Sequence, residues 1–191
     1  AAALARGASW LAGQGESAAA ALCGEVGKEL FAALEEWWLP DEGFIRAHIL
    51  DVRRAEKELD ISVILAANHA GLAPDEKHKA TLAKLDALFG ALYPVNRGRA
   101  VPALGRYAHD KYYGGGPWYA ATLAAAEFCY RAGDGTRGDA YLETVRAFTP
   151  QSGDLSEQFD RATGAQISAR HLAWSYAAFL TAIAARRAAS G

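Results

Sequence analysis

Apolar residues recur at three- and four-residue spacing along most of this chain, and the pattern predicts helix after helix. Between Ser17 and Trp38, the residues Leu22, Val26, Leu30, Leu34 and Trp37/Trp38 share one face, with Ser17 as N-cap and Pro40 as stop. Asp60 caps a helix running to about His69, which Gly71 ends. Pro74 opens another, with Leu82, Leu85, Leu88/Phe89 and Leu92 in phase and Pro94 closing it. Pro117 opens a helix through Tyr130 that Gly133 closes; Arg137 to Phe148 is shorter and stops before Pro150. Ser168 to about Ala189 places Leu172, Tyr176, Phe179/Leu180 and Ile183 on one side, and Ala1 to Leu11 reads as the tail of one more helix. Only Gly43–Asp51 alternates as a strand does. The expectation is an all-α chain of helical hairpins whose connections alternate short and long. A barrel of hairpins fits, with the long loops on one rim. A helical solenoid fits too, although no fixed-period repeat is visible.

Composition narrows the function classes. The chain has 191 residues, 51% of them hydrophobic, enough for the core of one domain or part of one. A net charge of −2, with both signs interspersed, points to neither nucleic acid nor an anionic membrane as partner. The longest charge-poor stretches, near Tyr112–Ala126 and His171–Ala185, are too short and too polar to span a bilayer. Cys23 and Cys129 lie in apolar helical patterns and read as small buried hydrophobes. No His or Cys spacing suits a metal. The start, Ala1 to Arg6, lacks the order of a signal peptide, which leaves the compartment open and a secreted or periplasmic one compatible. With no methionine at all, the chain is expected to be processed or to begin mid-protein.

The candidate chemistry lies in two long connections, 95–116 and 151–166, of the kind that carry function in compact domains. In the first, Arg106 and Asp110 can each pair with vicinal hydroxyls, and Tyr112 and Trp118 can pack on the apolar faces of sugar rings; an ion pair within the loop is the plainer alternative. Gly114-Gly115-Gly116 is no phosphate cradle, because no strand precedes it and no lysine follows at the required spacing. In the second, Glu157 has Gln158 and Ser168 in place to orient a carboxylate and its water, and Trp174 follows in the next helix. His171 has no Ser or Cys partner marked by a motif and reads as an ordinary helix residue.

Taken together these segments resemble the family 15 glucoamylases. The resemblance rests on Gly105-Arg106-Tyr107-x-x-Asp110-x-Tyr112-Tyr113-x-Gly115-x-Pro117-Trp118 and on Leu155-Ser156-Glu157-Gln158-Phe159-Asp160. Gly164-x-Gln166-x-Ser168-Ala169-Arg170-x-Leu172-x-Trp174-Ser175-Tyr176-Ala177 continues it, and Thr122–Glu127 and Tyr93-Pro94-x-Asn96 add to it. It is closest between Ile61 and Ala185 and looser before Asp60. The resemblance implies an (α/α)6 barrel that removes glucose from non-reducing ends of starch-like chains with inversion, and that needs no metal or organic cofactor. It implies that Glu157 is the general base, that Ser168 hydrogen-bonds it, and that Arg106, Asp110, Trp118 and Trp174 line the glucosyl subsites with Tyr112 close by. Ala108-His109 stands where the family usually has Pro-Glu, and His171 where it has Asp or Asn, so subsite detail is expected to differ.

An inverting site needs an acid as well as a base, with the two carboxyl groups roughly 6.5–9.5 Å apart. The family's acid lies in a Trp-Glu-Glu motif. Glu35-Glu36-Trp37 is that motif reversed and mid-helix, a solvated pair beside a buried tryptophan. The chain is therefore expected to be the C-terminal half of a catalytic domain, over residues 1–191, inactive in isolation, with half-barrel faces prone to self-association. The alternatives are a non-catalytic carbohydrate-binding or scaffold fragment, and a trehalose- or dextran-directed relative.

Overall fold

The computed structural model describes residues 1–48 and 57–190. Among the described residues seven α-helices carry the fold: α1 (Ala2–Gly13), α2 (Ser17–Ala33), α3 (Ser62–Ala70), α4 (Glu76–Leu92), α5 (Tyr119–Arg131), α6 (Gly135–Ala147) and α7 (Ala173–Ala189). Two small antiparallel hairpins join them. β1 (Trp38–Leu39) pairs with β2 (Phe44–Ile45), and β3 (Gln158–Phe159) with β4 (Gln166–Ile167).

Side-chain caps start two of the helices. The Asp75 carboxylate accepts from the His78 amide at 2.8 Å and starts α4, and Asp134 accepts from the Arg137 amide at 3.1 Å and starts α6. Asp60, expected as the cap of α3, lies one residue before the cap position, which Ile61 holds, and its carboxylate accepts from the Ser62 amide at 2.7 Å; Gly71 ends α3 at φ 72°, where a side chain would be strained.

Helix α5 is the centre. Every residue from Tyr119 to Tyr130 except Glu127 is buried, so it is apolar all round, as a helix enclosed by neighbours must be. It packs against α3, α6 and α7. Ile64, Leu82, Leu85, Phe89, Tyr141 and Ala182 close over it from four helices. A polar tie crosses the outer layer: Asp86 on α4 accepts from Arg137 at 2.5 Å and from the Tyr141 hydroxyl, both on α6. By contrast, α1 and α2 bury only Gly27, and Leu22, Leu30 and Leu34 stay largely exposed. A cavity of about 810 Å³ separates α2 and the following turn from α3, lined by apolar groups including Leu30, Phe31, Trp37 and Ala66.

Several sequence expectations shift. Ser17 is the first residue of α2 and makes no cap bond; Glu16 holds the cap position. Pro74 and Pro117 lie just before their helices, which begin after Asp75 and Trp118. Pro117 stays extended because its carbonyl accepts from the Phe159 amide at 3.1 Å. The last helix begins at Ala173. Ser168 and His171 sit at φ 66° and 53°, and residues 166–167 are drawn into β4 by pairing with β3. Of the Gly43–Asp51 alternation only Phe44–Ile45 is a strand, and residues 49–51 lie outside the described residues. Cys129 is buried but Cys23 is half-exposed on α2, and Trp37 is only half-buried.

The N-termini of α3, α5 and α7 meet at one end of the molecule. Ile61 donates to the Arg106 carbonyl at 2.9 Å, Tyr119 to the Glu157 carbonyl at 3.3 Å and Leu172 to the Leu155 carbonyl at 3.2 Å. Both long connections are thereby held over the same three helix starts.

Candidate active site

The first connection is anchored at its root by Asn96. Its carboxamide donates to the carbonyls of Phe89 and Ala103 at 2.9 and 3.0 Å and accepts from the Ala103 amide at 2.8 Å. The Leu104 amide donates to Thr122 Oγ1 at 3.0 Å, and its carbonyl accepts from Trp118 at 2.9 Å. Glycine is required where the connection turns back. A Cβ on Gly115, at φ +65°, would lie 1.9 Å from the Asp110 carbonyl oxygen. That turn folds Tyr112 over Trp118, ring centroids 5.9 Å apart.

Arg106 and Asp110 form a two-pronged ion pair, Nε to Oδ2 and Nη2 to Oδ1 both at 2.7 Å, and Asp110 also accepts from the Tyr112 amide at 3.0 Å. The Asp110 side chain is only 3% exposed, whereas that of Arg106 is 33% exposed. The loop ion pair weighed from the sequence is thus the arrangement found. Asp110 faces Arg106 rather than open space, and Arg106 presents the free edge. Burial raises the Asp110 pKa, but the Arg106 guanidinium and the Tyr112 amide outweigh it and hold the carboxyl below the usual carboxylate range. The guanidinium carbon sits 4.9 Å from the Trp118 ring centroid and 5.2 Å from that of Tyr112.

Glu157 enters from the second connection, one residue before β3. Its amide donates to the Ala169 carbonyl at 2.8 Å, and its carboxylate Oε2 accepts from the Ser168 hydroxyl. No other donor among the described residues meets the carboxylate, which is half-buried. The preceding residues are fixed by Ser175, whose hydroxyl donates to the Ser156 carbonyl at 2.8 Å, and by the Leu155 amide, which donates to Tyr176 Oη at 3.1 Å. Gln158 bridges to Trp118, and the Tyr119 amide donates to the Glu157 carbonyl at 3.3 Å, so the backbone around the glutamate is fixed to the start of α5. Trp174, 43% exposed, meets Trp118 edge-on at 5.9 Å.

Arg106, Tyr112, Trp118 and Trp174 thus form one continuous cationic-aromatic cluster, and the backbone bridge from Trp118 to Gln158 joins it to the segment that carries the Glu157–Ser168 pair. The sequence suggested that Gln158 also orients the carboxylate; instead it is fully buried and makes no bond to it. His171 is exposed, 3.5 Å from Asp154, and holds no nucleophile. Tyr107, missed from the sequence as a wall residue, lies 5.5 Å from the Arg106 guanidinium; its signal was its place directly after that arginine. Among the described residues no His, Cys, Asp or Glu cluster suits a metal.

Helical hairpins thus gather their two long connections over one end, and these carry a carboxylate, an arginine and a group of aromatic side chains. The chain belongs to glycosyl hydrolases family 15, whose model matches residues 1–138 and 134–184. It is 30% identical to a glucoamylase of Neurospora crassa, over 97% of this chain and 38% of that one. A probable glucoamylase of Schizosaccharomyces pombe is 33% identical over 83% of this chain and 44% of its own length. Among solved structures, the family 15 glucoamylase from Hypocrea jecorina superposes with a TM-score of 0.90 at 28% identity, covering 98% of this chain and 41% of that one. The glucoamylase from Saccharomycopsis fibuligera, 20% identical with a TM-score of 0.91, shares the fold and covers 54% of its own chain in the match. The chain therefore spans about two fifths of the curated relatives it matches, and its fold is part of an (α/α)6 barrel.

Proposed function

We propose that this chain is the C-terminal half of a catalytic domain whose parent protein hydrolyses terminal α-1,4, and α-1,6, glucosidic bonds of starch-like glucans, releasing glucose with inversion. The observation that carries the reading is the state of Glu157. One carboxylate oxygen is held by Ser168, and the other meets no donor among the described residues, on the segment that bridges to Trp118. That suits a general base. Ser168 fixes the carboxylate, and the free oxygen takes the proton of a water attacking the anomeric carbon. The indoles pack on the sugar faces, and the free edge of Arg106 meets hydroxyls. Asp110 holds that guanidinium in place and adds negative charge without reaching the sugar.

The second carboxylate of the cluster is unsuited to be the acid. A general acid must hold a proton and point it at the leaving oxygen, whereas both Asp110 oxygens accept from Arg106 and the side chain is buried, an ion pair that also lowers its pKa. The acid is accordingly assigned to a part of the parent outside this chain, and the isolated chain should release little or no glucose. The exposed Leu22, Leu30, Leu34 and Leu180 are the side chains through which isolated copies would self-associate. Following the anomer of glucose released from maltotetraose by the parent protein, by proton NMR, tests the reading. Initial β-glucose is expected. Initial α-glucose, or cleavage of trehalose or dextran in preference to maltooligosaccharide, overturns it.

A further inference from the structure

The turn that supplies Ser168 has a backbone shape that most residues avoid. Ser168 and His171, its first and last residues, lie at φ 66° and 53°, in the left-handed region. Residues other than glycine stay there only where their surroundings fix them. Part of the fixing comes from the segment that carries Glu157. The Ser168 hydroxyl donates to the Glu157 carboxylate, the Glu157 amide donates to the Ala169 carbonyl at 2.8 Å, and the Leu172 amide donates to the Leu155 carbonyl at 3.2 Å. A further contact closes the outer end. His171 Nδ1 stands 3.3 Å from Tyr176 Oη and 3.5 Å from Asp154 Oδ1. Both oxygens are themselves tied to the Glu157 segment. Tyr176 Oη accepts from the Leu155 amide at 3.1 Å. Asp154 Oδ2 accepts from the Ser152 hydroxyl at 2.9 Å, and the Asp154 carbonyl accepts from Gln166 Nε2 at 2.6 Å. Position 171 thus bears on residues 154 and 155 as Ser168 bears on Glu157.

We propose that His171 is a positioning residue for the general base: its imidazole, set between Asp154 and Tyr176, clamps the outer end of the turn, and the turn then presents the Ser168 hydroxyl to Glu157. Nδ1 carries a proton in the imidazolium and in one neutral tautomer, and in either form it offers a donor to the two facing oxygens. The side chains of His171 and Asp154 are 63% and 47% exposed, so the contact adds little to the stability of the fold. What it sets is the course of the turn. Only Ala169 and Arg170 separate His171 from Ser168, and Ser168 is the one donor among the described residues that meets the Glu157 carboxylate. A turn released at its outer end shifts that hydroxyl, and small misplacements of a reacting group cost rate. His171 makes no bond to the carboxylate; it acts through the turn.

This role rests on the reading of Glu157 as general base, which Glu157→Gln tests separately. The probe is His171→Asp in the parent protein. Aspartate tolerates a positive φ, as histidine does, so the backbone shape is kept while the donor is exchanged for a charge that repels Asp154. On maltotetraose kcat is expected to fall roughly two- to fivefold, the scale of an exposed pair, with KM unchanged, the pattern of an effect confined to the transition state. Amide hydrogen exchange, followed by mass spectrometry, should quicken in the peptides that hold Glu157 and Leu172. Adding Asp154→Asn removes the repulsion and should restore both readouts. Unchanged kcat in His171→Asp overturns the proposal, and so does a loss that Asp154→Asn does not relieve. A lowered melting temperature with kcat intact also overturns it, because that marks a contact of structure alone. Should His171→Asp fail to fold, His171→Asn, which tolerates the same φ, decides: a lowered kcat sustains the role and an unchanged one ends it. If Glu157→Gln collapses turnover while His171→Asp leaves it intact, the positioning role alone falls. If Glu157→Gln leaves turnover intact, the general-base reading falls and takes the role with it, whatever the exchange shows.

Discussion

Helices α2 and α5 carry apolar residues at the same spacing, yet one is nearly bare and the other enclosed. In α5 the residues Leu123, Phe128 and Cys129 are at most 2% exposed, whereas in α2 Leu22 is 62% exposed and Leu30 46%. An amphipathic pattern records that a helix has a partner; it does not say that the partner lies in the same stretch of chain. The α5 pattern is answered on three sides, by α3, α6 and α7, whereas the α2 pattern is answered chiefly by one partner, the alanine-rich α1, which packs close at Gly27, where a Cβ would sit 3.5 Å from Leu4 Cβ.

The sharpest way to break this comparison is to truncate one leucine in each helix. Leu123→Ala should cost about 2–5 kcal/mol, as for buried leucines elsewhere, and Leu22→Ala should change stability by less than about 0.5 kcal/mol. Denaturant unfolding reads both, and equal effects would mean that α2 is packed as α5 is. The polar ties should divide similarly. Removing the Asp86 carboxylate leaves Arg137 and the buried Tyr141 hydroxyl without their shared acceptor, so Asp86→Ala should cost about 1–3 kcal/mol by thermal melt. The exposed Glu143–Arg146 pair on the surface of α6 should be dispensable, and Glu143→Ala should leave the melt unchanged.

The smallest effect belongs to the site. Asp110 has a lower pKa in the fold than in the unfolded chain, where a carboxyl titrates near about 3.9. Its contribution to stability is therefore complete above that value and is lost as pH falls through the depressed one. Melting temperatures from pH 5 to pH 2 should fall less steeply in Asp110→Asn than in the unsubstituted chain; parallel curves would mean that the Arg106 pair does not persist in solution.

Helix content was legible because burial and capping act locally: the residues that fill one face of α4, and Gly71 and Gly133 after α3 and α5, are short-range signals. The short hairpins were not. Gln166 and Ile167 are strand residues only because Gln158 and Phe159 lie opposite, a non-local cause, and the same pairing keeps Ser168 out of α7 and beside Glu157. The gathering of Arg106, Trp118 and Trp174 was suggested by motif, but the capture of Asp110 by Arg106 depends on the turn at Gly115, and the burial of Gln158 on its bridge to Trp118.

The most direct measurement is the turnover of the full-length parent protein on maltotetraose with Glu157→Gln. That change keeps the shape beside Ser168 and removes the proton acceptor. A fall in kcat of roughly 10²–10⁴-fold is expected, the range for a lost general base. Turnover within a few-fold of the unsubstituted enzyme would contradict it and remove Glu157 from the centre of the chemistry.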